Sequence, residues 1–390
     1  MKIIEVLTEE QKKAFVQLNV QLNKSTPNYI QPLYKDVNAV FDTKINKTYR
    51  NGEVVQYMLL NDGHEAIGRV AAFTNSKYKN KGDNISVGGI GFFDCINNQA
   101  AANLLFDTAK AWLSSKGVQA MDGPINFGER DKWWGLVVQG FHEPLYNMNF
   151  NPEYYVSLFE TYGFQPFYYQ LCFGLDPQKP LSTKITERYN ALIAQGGYSA
   201  AHVQLSNINK YAEDFTTVYN KAWAGHGGLK QLALAQVKLM FAKMKPIIDE
   251  DILWFAYHNM EPIGMFVNIP DLNQYFKHFK GKFGLLQKLE FVYRQRFKRS
   301  TKFNGLVFGI VPEQQGKGVD ALLIEAARQY IQLGNKSLYT AYEMQWIGDF
   351  NPKMVNIAST LGDTFVNRKL CTYRYLFDRK KEFVCHPMLA

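Results

Sequence analysis

The chain has 390 residues, of which 46% are hydrophobic and 20% charged, with a formal net charge of +9. That length suits two or three domains of roughly 150 residues each, and the apolar content excludes wholesale disorder. No run approaches the ~18 apolar residues of a spanning helix.

The start, Met1-Lys2-Ile3-Ile4-Glu5, meets acid again at Glu9-Glu10 and lacks the apolar core of a secretory leader. Four scattered cysteines (Cys95, Cys172, Cys371, Cys385) form no C-x-x-C pair and read as reduced thiols of a cytoplasmic protein. Neither an H-E-x-x-H pair nor a His/Cys cluster is present, so no metal is expected. The G-x-S-x-G elbow of many serine hydrolases is absent too.

In chain order, Ile85 to Phe93 reads as a buried strand, Ala100 to Ser115 as a helix stopped by Gly117, and Val118 to Ile125 as a strand. Asn151-Pro152 opens a short helix ending at Gly163, and the aromatic run Phe164 to Leu175 follows as a strand. The stretch 127–134, ending in Trp133-Trp134, mixes charges with indoles after a strand end. It is read either as ligand-facing or as packing between halves. Asp176 to Lys184 reads as a linker, and Ile185 to Gln195 as a helix stopped by Gly196-Gly197.

The second half repeats the order. Gly305 to Val311 is a strand, Val319 to Leu333 a helix stopped by Gly334, and Ser337 to Trp346 a strand. In that helix Leu322, Leu323, Ala326, Ala327, Tyr330 and Ile331 make one apolar stripe. Asn351-Pro352 again opens a helix, ending at Gly362, before the strand-like run Thr364 to Phe377. The expected architecture is therefore α/β with mixed sheets, built as two copies of one unit. The first occupies 1–175, a linker 176–184, the second 185–378 and a tail 379–390.

Charge is concentrated in an insert within the second copy, at 277–302. Nine Lys and Arg residues lie between Lys277 and Lys302 against the single acid Glu290, which is nearly all of the excess. Phe279, Phe283, Leu286, Leu289, Val292 and Phe297 interleave with them. A solvated face over a core helix, an anionic membrane surface, and a nucleic acid such as tRNA all fit this composition.

The most informative turn is Val311-Pro312-Glu313-Gln314-Gln315-Gly316-Lys317-Gly318-Val319-Asp320. A strand running through a glycine turn into a helix leaves unpaired amides and the helix dipole facing a phosphate. A purely structural glycine turn is the alternative. Gly316 to Ala321 also satisfies G-x-G-x-x-A, but Pro312 to Gln315 stand between strand and turn, unlike a dinucleotide site.

These residues resemble the GNAT acyl-CoA N-acyltransferase superfamily, whose pyrophosphate loop is Gln/Arg-x-x-Gly-x-Gly/Ala. Gln315 matches the first position and Gly318 the fourth, while Asp320 stands at the sixth. Asn351 and its helix resemble the family's next motif. The chain as a whole is similar to a bacterial tandem-GNAT group, in which a Gly-Pro-Ile-Asn strand end (Gly123 to Asn126) precedes a Gly-Phe-x-x-Pro segment (Gly140 to Pro144). The resemblance implies acetyl-CoA or another acyl-CoA as cosubstrate, held in the second half between its strands 305–311 and 337–346. It implies that amides of Gln315, Gly316, Lys317, Gly318, Val319 and Asp320 hold the pyrophosphate and main-chain groups of Gly309, Ile310 and Val311 the pantetheine. The first half, with Asn97-Asn98-Gln99 in place of the loop, is implied to be structural or acceptor-binding.

Acyl transfer to an amine needs a base for the ammonium proton and an acid for the departing thiolate. The tyrosine that many family members place four residues before the helix-ending glycine is Ala358 here, and Phe159 in the first half. By position, Tyr342, Glu343, Tyr373 and Tyr375 are the substitutes, and His226 is a further candidate base. The implied activity is acyl transfer, acetyl by default, to a small-molecule or peptide amine; the alternative is a CoA- or ligand-binding module without turnover.

Overall fold

The structure is a computed structural model that describes residues 1–223, 231–333 and 338–389. His226, Gly334 and Ser337 lie outside the described residues.

The first half contains β1 (Lys2–Glu5), α1 (Glu9–Asn23), α2 (Tyr34–Phe41), β2 (Val54–Leu60), β3 (Ala66–Phe73) and β4 (Val87–Cys95). It continues through α3 (Gln99–Ser115), β5 (Ala120–Gly123), β6 (Leu136–Gln139), α4 (Tyr154–Tyr162) and β7 (Gln165–Leu175). The second half opens with α5 (Thr183–Ile193), β8 (Tyr198–His202), α6 (Ile208–Trp223), α7 (Leu234–Met244), β9 (Trp254–His258) and β10 (Glu261–Pro270). It closes with α8 (Asn273–Phe276), α9 (Leu285–Phe297), β11 (Lys302–Ile310), α10 (Val319–Leu333), β12 (Ala341–Met344), β13 (Ile347–Gly348), α11 (Pro352–Ser359) and β14 (Phe365–Leu376). Among the described residues no helix is long and apolar enough to cross a membrane.

Local chemistry accounts for the element ends. Thr8 and Gln11 form a reciprocal capping box at the start of α1. Gly163 ends α4 at φ +109°, a left-handed conformation that costs glycine nothing. The strands form one mixed sheet, in the order β1-β2-β3-β4-β5-β14-β7-β12-β11-β10-β9-β8. Only the β4–β5 and β11–β12 pairs are parallel. The repeated order β4-α3-β5-β6-α4-β7 and β11-α10-β12-β13-α11-β14 is the duplication read from the sequence.

The two copies exchange their last strands. β14, from the end of the second copy, pairs with β5 of the first, as Tyr373 opposite Gly123 and Leu376 opposite Ala120. β7, from the first copy, pairs with β12 of the second, as Tyr342 opposite Leu175. The exchanged strands run antiparallel to each other from Phe365–Gly174 to Arg374–Gln165. β6 and β13 obey the same symmetry, lying on β14 and β7 respectively. The sheet therefore runs without a break across the boundary expected at 176–184. Tyr373 and Tyr375 complete the first half's core, against Phe106, Phe159 and Phe164.

Charge at this seam is buried. Arg368 on β14 is 1% exposed and donates to the carbonyls of Gly140, His142 and Glu143 at 3.2, 3.1 and 2.7 Å. It also meets Glu343 at 3.2 Å, and Lys302 meets the same carboxylate at 2.5 Å. Burial alone would raise the pKa of Glu343, but the fields of Arg368 and Lys302 outweigh it and hold the carboxyl below the usual range. Next along β14, Arg374 pairs with Asp122 and Asp83 of the first half.

Two outcomes follow. Arg368→Ala leaves the buried Glu343 carboxylate with Lys302 alone and takes the donor from the carbonyls of Gly140, His142 and Glu143, and should cost about 3 kcal/mol of stability in urea unfolding. Because the carboxyl's pKa is depressed on folding, its contribution is present above the unfolded value and is lost as pH falls through the folded one. Stability of the wild type should therefore fall as pH drops below about 4.5, and the fall should be shallower in Glu343→Gln.

Candidate functional site

The turn between β11 and α10 is built to leave amides free. Pro312–Gln314 forms one 3-10 turn, in which the Gln315 amide donates back to the Pro312 carbonyl at 3.2 Å. Gly316 and Gly318 then take φ of +76° and +101°, which L side chains rarely adopt. The first helical bond runs from the Leu322 amide to the Gly318 carbonyl at 3.0 Å. Among the described residues, the amides of Gly316 to Ala321 have no hydrogen-bond partner. Gly316 borders open space, and the exposed Lys317 makes no ion pair with any described residue. The dipole of a helix 15 residues long adds positive potential at the same place.

Asp320 does not oppose this potential. Arg188 from α5 grips its carboxylate with both guanidinium arms, at 2.8 and 2.6 Å. The charge is neutralised and turned toward α5, away from the free amides. Nothing local in the sequence marks Arg188, since its partner lies 132 residues away.

The corresponding turn in the first half is closed. Asn98 caps α3 by accepting from the Ala101 amide at 2.9 Å, which occupies the donor that is left free at Ala321 in the second half.

In the second half, β11 and α10 also wall a cleft, lined by β11 up to Phe308 and by α10 from Ile324 onward, and by no residue of the turn itself. β11 pairs with β12 only from Lys302 to Gly305, and the last bond across is the Gln345 amide to the Gly305 carbonyl at 3.0 Å. Beyond it the strands splay. The Val311 amide is committed to Ile263 on the β10 side at 2.9 Å, so by alternation Gly309 faces β10 as well. Phe308 and Ile310, rather than Gly309 and Val311, therefore present main-chain groups to the open edge. Gln315 already reaches it, donating to the Ile310 carbonyl at 3.1 Å. A cavity of about 220 Å³ fills the splay, walled by Phe308, Ile324, Ile331, Met344, Ile357 and Ala358 among others. That exceeds the roughly 150 Å³ in which an apolar cavity takes up benzene. Gly309 is packed under the Trp223 indole, which a Cβ would strike.

The four candidate catalytic side chains are not brought together. Tyr342 lines the cavity, with its hydroxyl over Gly305. Burial raises its pKa, so the phenol stays protonated. Glu343, next along β12, belongs to the buried seam instead. Tyr373 donates to Glu160 at 2.8 Å in the first half's core, where Tyr375 also lies. The strand exchange removes both from the cleft. Asn351 caps α11 through the Met354 amide at 3.3 Å. Trp133 and Trp134 are buried, with the Trp134 indole donating to the Tyr168 hydroxyl at 2.8 Å. His142, beside the seam, is pushed down to about 4 by burial and then by Arg368, so its imidazole is neutral at ordinary pH.

No family model matches the chain. It overlays a tandem GNAT protein from the clavulanic acid biosynthesis pathway with a TM-score of 0.50 at 9% identity, covering 96% of this chain and 98% of that one. It also overlays the GCN5-related glucosamine N-acetyltransferase region of a fungal multi-domain β-N-acetylglucosaminidase, with a TM-score of 0.52 at 10% identity. That match covers 96% of this chain but only 38% of the fungal protein. The chain has a tandem GNAT fold. In sequence, the chain is 24% identical over 370 residues to the bacterial ceramide synthase of Caulobacter vibrioides, covering 93% of this chain and 94% of the relative.

The packing of Gly309 gives a direct check. Gly309→Val should force the Trp223 indole out and lower stability by ~1–3 kcal/mol, read as a lower unfolding midpoint with the secondary structure retained.

Proposed function

We propose that this chain is an acyl-CoA-dependent N-acyltransferase whose acceptor is the amine of a long-chain amino alcohol. The observation that carries the reading is the open amide turn joining β11 to α10, the two elements that wall the apolar splay. A diphosphate suits the six partnerless amides from Gly316 to Ala321 and Lys317, and an apolar arm suits the cavity walled by the same strand and helix. Acyl-CoA would supply the activated thioester. Main-chain groups of Phe308 and Ile310 would orient its arm, with one amide polarising the thioester carbonyl.

The Tyr342 hydroxyl is the proton donor to the departing thiolate, and the proton shed by the attacking amine restores the phenol, so that one proton passes from nitrogen to sulfur; Tyr342 is the one catalytic candidate that lines the cavity, and burial keeps it protonated. Ala358 leaves apolar space at the wall in place of a phenol. A ceramide is the amide of a fatty acid and a long-chain amino alcohol, so the likeness to the Caulobacter protein supports a fatty acyl donor in place of acetyl and an amphiphilic acceptor. The closed first half is the structural or acceptor-side partner. Binding without turnover is the second reading, favoured by Ala358 and by the core position of Phe159.

Calorimetry with CoA should give saturable heat. Arg188→Ala, which releases the Asp320 carboxylate beside the amides, should weaken the affinity about tenfold. Mass spectrometry of reactions pairing acetyl-CoA to palmitoyl-CoA with sphinganine should show N-acyl product rising with chain length. Tyr342→Phe should lower kcat by about 10²-fold with little change in KM. CoA binding with no product from any pair would establish the second reading, and no binding at all would refute both.

A further inference from the structure

The segment between β10 and β11 carries a surface that acyl transfer does not use. α9 is anchored on its inner face, where Phe291 is buried against Tyr275 and Phe276 and the Gln295 side-chain amide donates to the Pro246 carbonyl at 2.6 Å; Arg294 pairs with Glu290 within the helix. Its outward face is apolar. Leu285, Leu286, Leu289, Val292, Tyr293 and Phe297 are between 54% and 75% exposed, and their spacing of three and four residues sets them on one side. Scattered single apolar residues on a surface need no explanation, but a contiguous stripe of six large ones does.

Cations surround that stripe. Lys280 and Lys282 precede it, Lys288 and Arg296 lie along it, and Lys298 follows. All five are exposed, and none pairs with an acid among the described residues. The four other basic residues of the segment are engaged, Lys277 with Glu143, Arg294 with Glu290, Arg299 with Asp249 and Lys302 with Glu343.

We propose that α9 docks the protein in the plane of an anionic lipid surface, the apolar stripe entering the acyl boundary and the five free cations resting on headgroups. Both halves of the pattern are needed for this reading. A polyanion such as tRNA would satisfy the cations but leave six apolar side chains in water. A second copy would cover the apolar stripe, but two-fold pairing of the helix brings Lys280 and Lys282 against Arg296 and Lys298, like charge against like. Only a surface that is apolar beneath and anionic above matches both. This inference does not depend on acyl transfer.

The test is sedimentation of the full chain with phosphatidylcholine vesicles and with vesicles of equal parts phosphatidylcholine and phosphatidylglycerol. Binding should require the anionic lipid and weaken as salt rises. Leu286→Glu with Leu289→Glu should cut partitioning about a hundredfold, since each leucine withdraws several methylene-sized units from the interface. Lys282→Gln with Lys288→Gln should cut it roughly fivefold for each charge removed. These side chains already face water, so the variants should unfold at the wild-type midpoint, which shows that the loss is one of docking. Binding that ignores phosphatidylglycerol, or that survives both leucine substitutions, would overturn the proposal. So would a dimer in lipid-free buffer that the leucine substitutions dissolve, or tRNA binding that they leave intact without any vesicle binding.

Discussion

The exchange of β7 and β14 is the constraint on which the rest of this molecule depends. Each copy of the repeated unit lacks its own closing strand and receives one from the other. An unpaired strand edge is a template for wrong pairing, and here each edge is satisfied from across the seam. Arg368 sharpens the constraint. Its guanidinium has no water to fall back on, so the carbonyls of 140–143 and the carboxylate of Glu343 must be in place together. Two segments more than two hundred residues apart are thereby locked into one register.

That register decides the form of the cleft. β12 is short, and its outer neighbour is β7 from the other copy, which leads the chain away instead of continuing alongside β11. The splay beyond Gly305 therefore stays open, and α10 and α11 roof it with apolar side chains. The same exchange places Tyr373 and Tyr375 against Phe159 and Phe164, so the phenol left at the cavity is Tyr342. One topological event both shapes the apolar cavity and decides which of these hydroxyls lines it.

Hydrogen bonding distinguishes the two copies. In the first, Asn98 consumes a helix-end donor; in the second, glycines leave six amides bare among the described residues and Arg188 neutralises the Asp320 carboxylate next to them. The duplicated fold keeps one closed end and one open end. On the outer surface, α9 and its flanks carry five cations with no acid partner among the described residues beside an exposed apolar face, a combination that suits an amphiphilic partner.

Much of this was legible in the sequence, because it is encoded locally. Hydrophobic period, caps and glycines placed α10 at its observed bounds and most other repeat elements within a few residues, and the spacing of Gly316 and Gly318 marked the open turn. The segregation of charge into 277–302 was equally plain. Tertiary structure alone decided the strand exchange, since β7 and β14 carry the same aromatic-rich pattern and either could have closed either copy. It alone decided that Arg188 turns Asp320 aside and that Tyr342 and Glu343, adjacent in the chain, face opposite environments. It also left the stripe of α9 bare, where the alternation of apolar and basic residues fits a covered core helix equally well. Periodicity reports which residues share a face; only the packed partner reports what that face meets.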